Sequence, residues 1–164
     1  MRFSDFATPA KIGHLYAVGL YDTTYTGYFN GNVAFFATAP VSAQTVATTA
    51  VVLPSVPTNT SHQFLGYFKA PKSGTFTFYM TSDDGSYLWF GDNALSGFTT
   101  GNANVVGGGS NTFAMAAGAY YPLRIQYGNA GGPGSLSVSY SVTGVPQTTD
   151  LTGLVYYNAA TKGF

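Results

Sequence analysis

The sequence predicts an all-β fold, an antiparallel β-sandwich with little helix, and three observations predict it. Tyr and Phe each occur thirteen times, beside many Thr, Ser and Val, residues that suit half-buried strands. The usual helix fillers are scarce: charged residues make up 7% of the 164 positions, and there is no Glu. Short alternating runs recur along the chain, separated by turn signals drawn from 21 Gly and 8 Pro. The length suits one domain over residues 1–164, large enough for a buried core.

Taken in order, His14 to Thr38 is rich in Tyr and Phe and broken by Gly19, Gly27 and Gly31, which predicts two or three short strands. Val41 to Pro57 reads as one strand and an extended connection ending at Pro54 and Pro57. His62 to Ala70 alternates, and Pro71-Lys-Ser-Gly74 supplies a turn. Thr75 to Thr81 alternates again, with Phe76 and Phe78 on one face. Asp83-Asp84-Gly85 interrupts, and Ser86 to Phe90 resumes as a strand with Leu88 and Phe90 on one face, Tyr87 and Trp89 on the other. Gly101 to Asn111 holds Gly107, Gly108 and Gly109 and is expected to be an exposed loop. Ala119 to Tyr127 and Ser135 to Val142 are the last clear strands, joined by a loop over Gly128 to Gly134. Leu123, Ile125 and Tyr127 join the aromatic positions above as core candidates. Trp89 is expected to pack, and Arg124 is expected to face solvent.

Composition also excludes functions. Six Lys plus Arg balance six Asp, so the chain has no basic surplus for nucleic acid. Cysteine is absent, which removes disulfides, thiol nucleophiles and thiolate zinc sites. No run approaches the roughly 18 apolar residues that span a bilayer, and Asp5, Pro9 and Lys11 break any secretory leader. The expectation is a chain with neither nucleic-acid partner nor membrane insertion.

Asp83, Asp84 and Asp92 form the one concentration of acids. Adjacent strand residues point to opposite faces and cannot flank a glycosidic bond, and neither His14 nor His62 sits near a nucleophile elbow. An enzyme is not expected. Two neighbouring carboxylates suit a hard cation such as Ca²⁺, which takes oxygen ligands. A plain Asp-Asp-Gly turn, with local backbone bonding by Asp, explains the same residues. Asn102 and Asn104 in the Gly-rich loop are candidates for a wall contacting sugar.

Leu65-Gly-Tyr-Phe-Lys-Ala-Pro-Lys-Ser-Gly-Thr-Phe-Thr-Phe and Ser82-Asp-Asp-Gly-Ser-Tyr-Leu-Trp-Phe-Gly91 resemble the flocculin and GLEYA adhesin branch of the protective-antigen domain superfamily. Ala117-Gly-Ala-Tyr-Tyr-Pro-Leu-Arg-Ile-Gln-Tyr-Gly-Asn-Ala130 resembles the flocculin segment leading to a second calcium loop, and Thr152-Gly-Leu-Val-Tyr156 has a counterpart at the domain's end. The resemblance implies a calcium-dependent lectin. It implies metal ligation by Asp83 and Asp84 across a cis peptide, by Asn129, and by the carbonyls of Gly131 and Pro133. Sugar of the hexose type is then held by Asp83, Asp84 and Asn129. The chain departs from flocculins in having no cysteine and no bulky residue in its second loop. Two settings are expected, an adhesion domain of an extracellular surface protein or a component of a virion surface, with the lack of a leader inclining towards the virion. The alternative function is purely structural, a virion or surface-assembly protein without sugar binding.

Overall fold

A computed structural model describes residues 16–164. His14, the start of the first expected strand region, lies outside the described residues. Thirteen strands follow in chain order: β1 Tyr16–Val18, β2 Leu20–Thr26, β3 Val41–Ala47, β4 Val52–Val56, β5 Thr60–Lys69, β6 Gly74–Asp83, β7 Gly85–Phe90, β8 Val105–Val106, β9 Gly109–Met115, β10 Tyr120–Asn129, β11 Gly134–Val142, β12 Val145–Thr148 and β13 Val155–Asn158. The described helices are single turns, α1 Phe35–Thr38, α2 Asp92–Leu95 and a 3₁₀ turn at Thr100–Asn102. None of them is long or apolar enough to cross a membrane.

The strands form two antiparallel sheets. The first runs β1-β13-β5-β10-β7-β8, with β2 on β5 and β3 on β2. The second runs β12-β11-β6-β9, with β4 on β11. Cross-strand rows show how alternation sets the faces. Asp22, Phe64, Ile125 and Leu88 are aligned across the first sheet and face the second. The neighbouring row, Thr23, Gln63, Gln126 and Tyr87, faces outward.

The inward rows make the sandwich core. Phe76, Phe78, Leu88, Phe90, Leu123, Ile125 and Tyr127 are all buried there, as the alternation predicts. Phe78 and Phe90 meet across the two sheets at 4.8 Å between ring centroids in a T-shaped contact. Each such side chain contributes roughly 1.5–3 kcal/mol by leaving water, which is how a chain so poor in charge stays folded.

Three expectations are corrected. The stretch Val41 to Pro57 makes two strands, because Pro54 sits in the short β4, whose single pairing is to β11. The Gly101 to Asn111 stretch is not an open loop: β8 and the start of β9 lie in it, and Val105 is buried against the core. Arg124 does not face solvent. The outer face of the first sheet is itself covered, by residues 27–39 and 91–104, so a position on that face is interior. A second aromatic cluster, Tyr25, Phe29 and Phe36 with Tyr28, Phe35 and Tyr87 against it, fills the space under the first cover.

Candidate functional site

At one end of the sandwich, two of the chain's steps from one sheet to the other carry the candidate residues. Asp84 joins β6 in the second sheet to β7 in the first, and residues 130–133 join β10 in the first to β11 in the second. The two steps lie side by side. Gly85 is aligned with Gly128, and Asp83 with Ser135. The Ala130 amide donates to Asp84 Oδ2 at 2.7 Å. The Asp83–Asp84 peptide is cis, in keeping with the implied geometry.

The β6–β7 step is fixed by two side-chain hydroxyls. The Tyr127 hydroxyl donates to the Asp83 carbonyl at 2.8 Å, and the Ser82 hydroxyl donates to the Asp84 carbonyl at 2.9 Å. Asp83 and Asp84 are both exposed. Tyr127 is buried, and its phenol is pushed up to about 12, first by burial and then by the charges of Asp83 and Asp84. No Lys, Arg or His forms an ion pair with either carboxylate among the described residues, where the one ion pair is His62 with Asp22. Among the described residues, the negative charge of the pair has no cationic partner.

Asn129 ends β10 with its side chain buried. Its Nδ2 faces three carbonyls, donating to Val56 and Gly132 at 2.8 Å and to Pro57 at 3.1 Å. Turning the amide over would set its oxygen against those carbonyls, so the assignment of N and O is fixed by the network. Oδ1 is then buried with no hydrogen-bond partner. An acceptor left this way costs about 1–3 kcal/mol unless something satisfies it. A cation or a donor hydroxyl would.

A Cβ at Gly131 or Gly132 would meet nothing within 4 Å, whereas the first residue of β11 is closely packed. A Cβ at Gly134 would lie 2.4 Å from the Tyr127 hydroxyl and 2.5 Å from Asn129 Cγ. Only glycine lets β11 begin against these two side chains. Gly131 and Pro133 flank Gly132, whose own carbonyl is taken up by Asn129.

No three His, Cys, Asp or Glu side chains gather to hold a metal among the described residues. The oxygens that the resemblance implies, two Asp carboxylates, one amide oxygen and loop carbonyls, are by their chemistry a hard set of the kind that Ca²⁺ takes. The residues present thus fit the implied ion.

Other candidates lie apart. Asp92 opens α2 at the far end of β7 from Asp84. The Asn102 oxygen accepts from Trp89 Nε1 and from the Thr99 amide, and its nitrogen donates to the Gly97 carbonyl. The Asn104 oxygen accepts from the Phe90 amide at 2.8 Å. Both side chains are thus engaged in fixing their loop to β7. Tyr28 is a neighbour of the site that the sequence reading did not select. Its hydroxyl lies 3.7 Å from where a Gly85 Cβ would stand, and burial, then Asp84, raises its pKa. Ser61 holds that turn, donating to the Gly27 carbonyl and accepting from the Phe29 amide. The signal was the run Tyr25-Thr-Gly-Tyr-Phe29, but nothing in it says that it returns to residue 85.

Residues 60–142, half of the chain, match the GLEYA domain model. The chain belongs to the GLEYA domain family. Similar to this GLEYA domain are the flocculation proteins FLO10 and FLO1 of Saccharomyces cerevisiae, each 32% identical over 122 residues and 62% of this chain. The chain spans about a tenth of the length of these relatives. Among solved structures, the A domain of Epithelial Adhesin 6 from Candida glabrata, in complex with Galβ1-3GlcNAc, is similar with a TM-score of 0.68 and 20% identity, covering 85% of this chain and 86% of that one. The A domain of Epithelial Adhesin 9, also in complex with Galβ1-3GlcNAc, has a TM-score of 0.71 at 14% identity over 88% and 91%. At these identities the likeness establishes the protective-antigen type of sandwich for the GLEYA domain.

Proposed function

We propose that this domain is a calcium-dependent lectin that binds sugar diols for adhesion at a cell surface, and that it is not an enzyme. Asp83, Asp84 and Asn129 would hold the ion, with the carbonyls of Gly131 and Pro133. A bound Ca²⁺ supplies positions at which vicinal sugar hydroxyls replace water. The chain's own contribution is to hold the acceptors. Tyr127 and Ser82 anchor the backbone carbonyls of the Asp pair, Ala130 orients the Asp84 carboxylate, and Val56, Pro57 and Gly132 orient Asn129. Carboxylate oxygens then accept the remaining hydroxyl protons in short, charge-assisted bonds.

The observation that carries this reading is the buried, unpartnered Asn129 Oδ1 one residue from the amide that binds Asp84. A turn serving only the fold has no use for an acceptor held in that state. The setting is a surface adhesin rather than a virion, in keeping with the flocculation proteins and epithelial adhesins that the chain resembles. Retention on immobilised hexoses with calcium, and elution with a chelator, tests the reading. A chain that passes through all such columns in calcium would leave the purely structural alternative standing.

A further inference from the structure

A second site lies on the outer face of the first sheet, and its observations are independent of the calcium reading. Between the two covering segments is a cavity of about 370 Å³. Val33, Phe36 and Ala37 line it from one cover, and Phe98 from the other. Its floor is Gln63 and Arg124. The walls are apolar, and the polar groups are confined to the bottom.

Arg124 is 8% exposed. Its Nε donates to the Ala94 carbonyl at 2.8 Å and its Nη1 to Gln63 Oε1 at 2.7 Å, while Phe98 stacks on the guanidinium at 3.9 Å from the ring centroid. Among the described residues no carboxylate pairs with it. Burial accordingly brings its pKa down to about 10. Gln63 Oε1 also accepts from Gln126 Nε2, so the floor is held rigid from beneath. A buried guanidinium with N–H groups to spare and no counter-charge is a ready acceptor of a planar carboxylate. Uncompensated burial of charge is costly, and an incoming anion relieves it.

We infer that this cavity binds a small monocarboxylate with an apolar body, its carboxylate on Arg124 and its body between Phe36 and Phe98. An acidic but wholly polar ligand would leave the walls unused. A neutral apolar ligand would leave the charge unmet.

Phenylacetate, its neutral analogue phenylacetamide and the whole chain in chelator provide the test, by calorimetric titration. Phenylacetate is expected to bind with the calcium removed, and phenylacetamide to bind about tenfold more weakly or worse, the loss of a charge-assisted hydrogen bond. Ala37 is exposed, so Ala37→Trp fills the cavity without disturbing the sheet and should abolish binding. Arg124→Met should remove the preference for acid over amide. Because that variant can fail to fold, Ala37→Trp decides. No binding of phenylacetate, equal binding of acid and amide, or full binding by Ala37→Trp would each overturn the inference.

Discussion

The amide of Ala130 donates to the carboxylate of Asp84 at 2.7 Å, and this one bond joins two of the places where the chain crosses between its sheets. Asp84 belongs to the β6–β7 step and Ala130 to the β10–β11 step, 46 residues on. Their contact turns two separate turns into one group of oxygens.

Asn129 supports that group through three carbonyls, so its removal should be felt without any ligand. Asn129→Ala leaves the carbonyls of Val56, Pro57 and Gly132 short of a donor, and is expected to cost about 2–3 kcal/mol. Urea unfolding in chelator measures it. Asn129→Asp should cost more, because a carboxylate would face those same carbonyls.

Gly134→Ala should damage the site as well as the fold. The added methyl meets Tyr127 and Asn129 at once, and overpacking of this kind costs about 1–3 kcal/mol. The expected outcome is a lower Tm together with weaker calcium binding. Weakened stability with undiminished binding would mean that Asn129 takes no part.

Asn102 separates loop architecture from sugar contact. Asn102→Ala removes the acceptor for the Thr99 amide and one of the two acceptors for Trp89 Nε1, which keeps the Thr99 carbonyl, and should cost about 1–2 kcal/mol. Retention on hexose columns is expected to survive. Loss of retention with stability unchanged would make Asn102 part of the sugar wall.

Alkali should unfold the domain early. Burial, the foremost cause in each case, raises the phenol pKa of Tyr25, Tyr67 and Tyr140. The unfolded chain sheds those protons near pH 10, while the folded chain keeps them to higher pH. In that window the folded state binds more protons, so stability falls as pH rises. Arg124, lowered to about 10, works in the opposite sense but is one group against these three phenols and those of Tyr28 and Tyr127, raised likewise. The urea midpoint should hold from neutral pH to about 9 and drop above about 10. A midpoint steady to about pH 11 would contradict this.

Much of the fold was legible because period-two alternation and turn residues are local. Phe76, Phe78, Leu88, Phe90, Leu123 and Ile125 fell on the buried face without knowledge of which strand pairs with which. Arg124 was misread for the same reason: its strand alternates, yet the outward face is roofed by residues from elsewhere, and no local pattern announces a roof. Strand β8 hid among glycines because its two residues have meaning only against Tyr87 and Leu88. At the site, the acid pair stood out by its rarity in an acid-poor chain, and Asn129 came through resemblance to the flocculins. Tyr28 and Ser61 were invisible because their part depends on contacts more than fifty and thirty residues away. The buried Asp22–His62 pair at 2.9 Å was hidden likewise.

Calcium titration of the wild-type chain and of Asp84→Asn tests the central claim most directly. The Asn oxygen can still accept from Ala130, so the substitution removes charge while keeping the bond. Wild type should bind one Ca²⁺ and gain about 2.7 kcal/mol of stability at a hundredfold excess over Kd, seen as a raised Tm. Asp84→Asn should keep the calcium-free Tm and lose both the binding and the rise. A wild-type Tm that is the same in calcium and in chelator, with no heat of binding, would contradict the account.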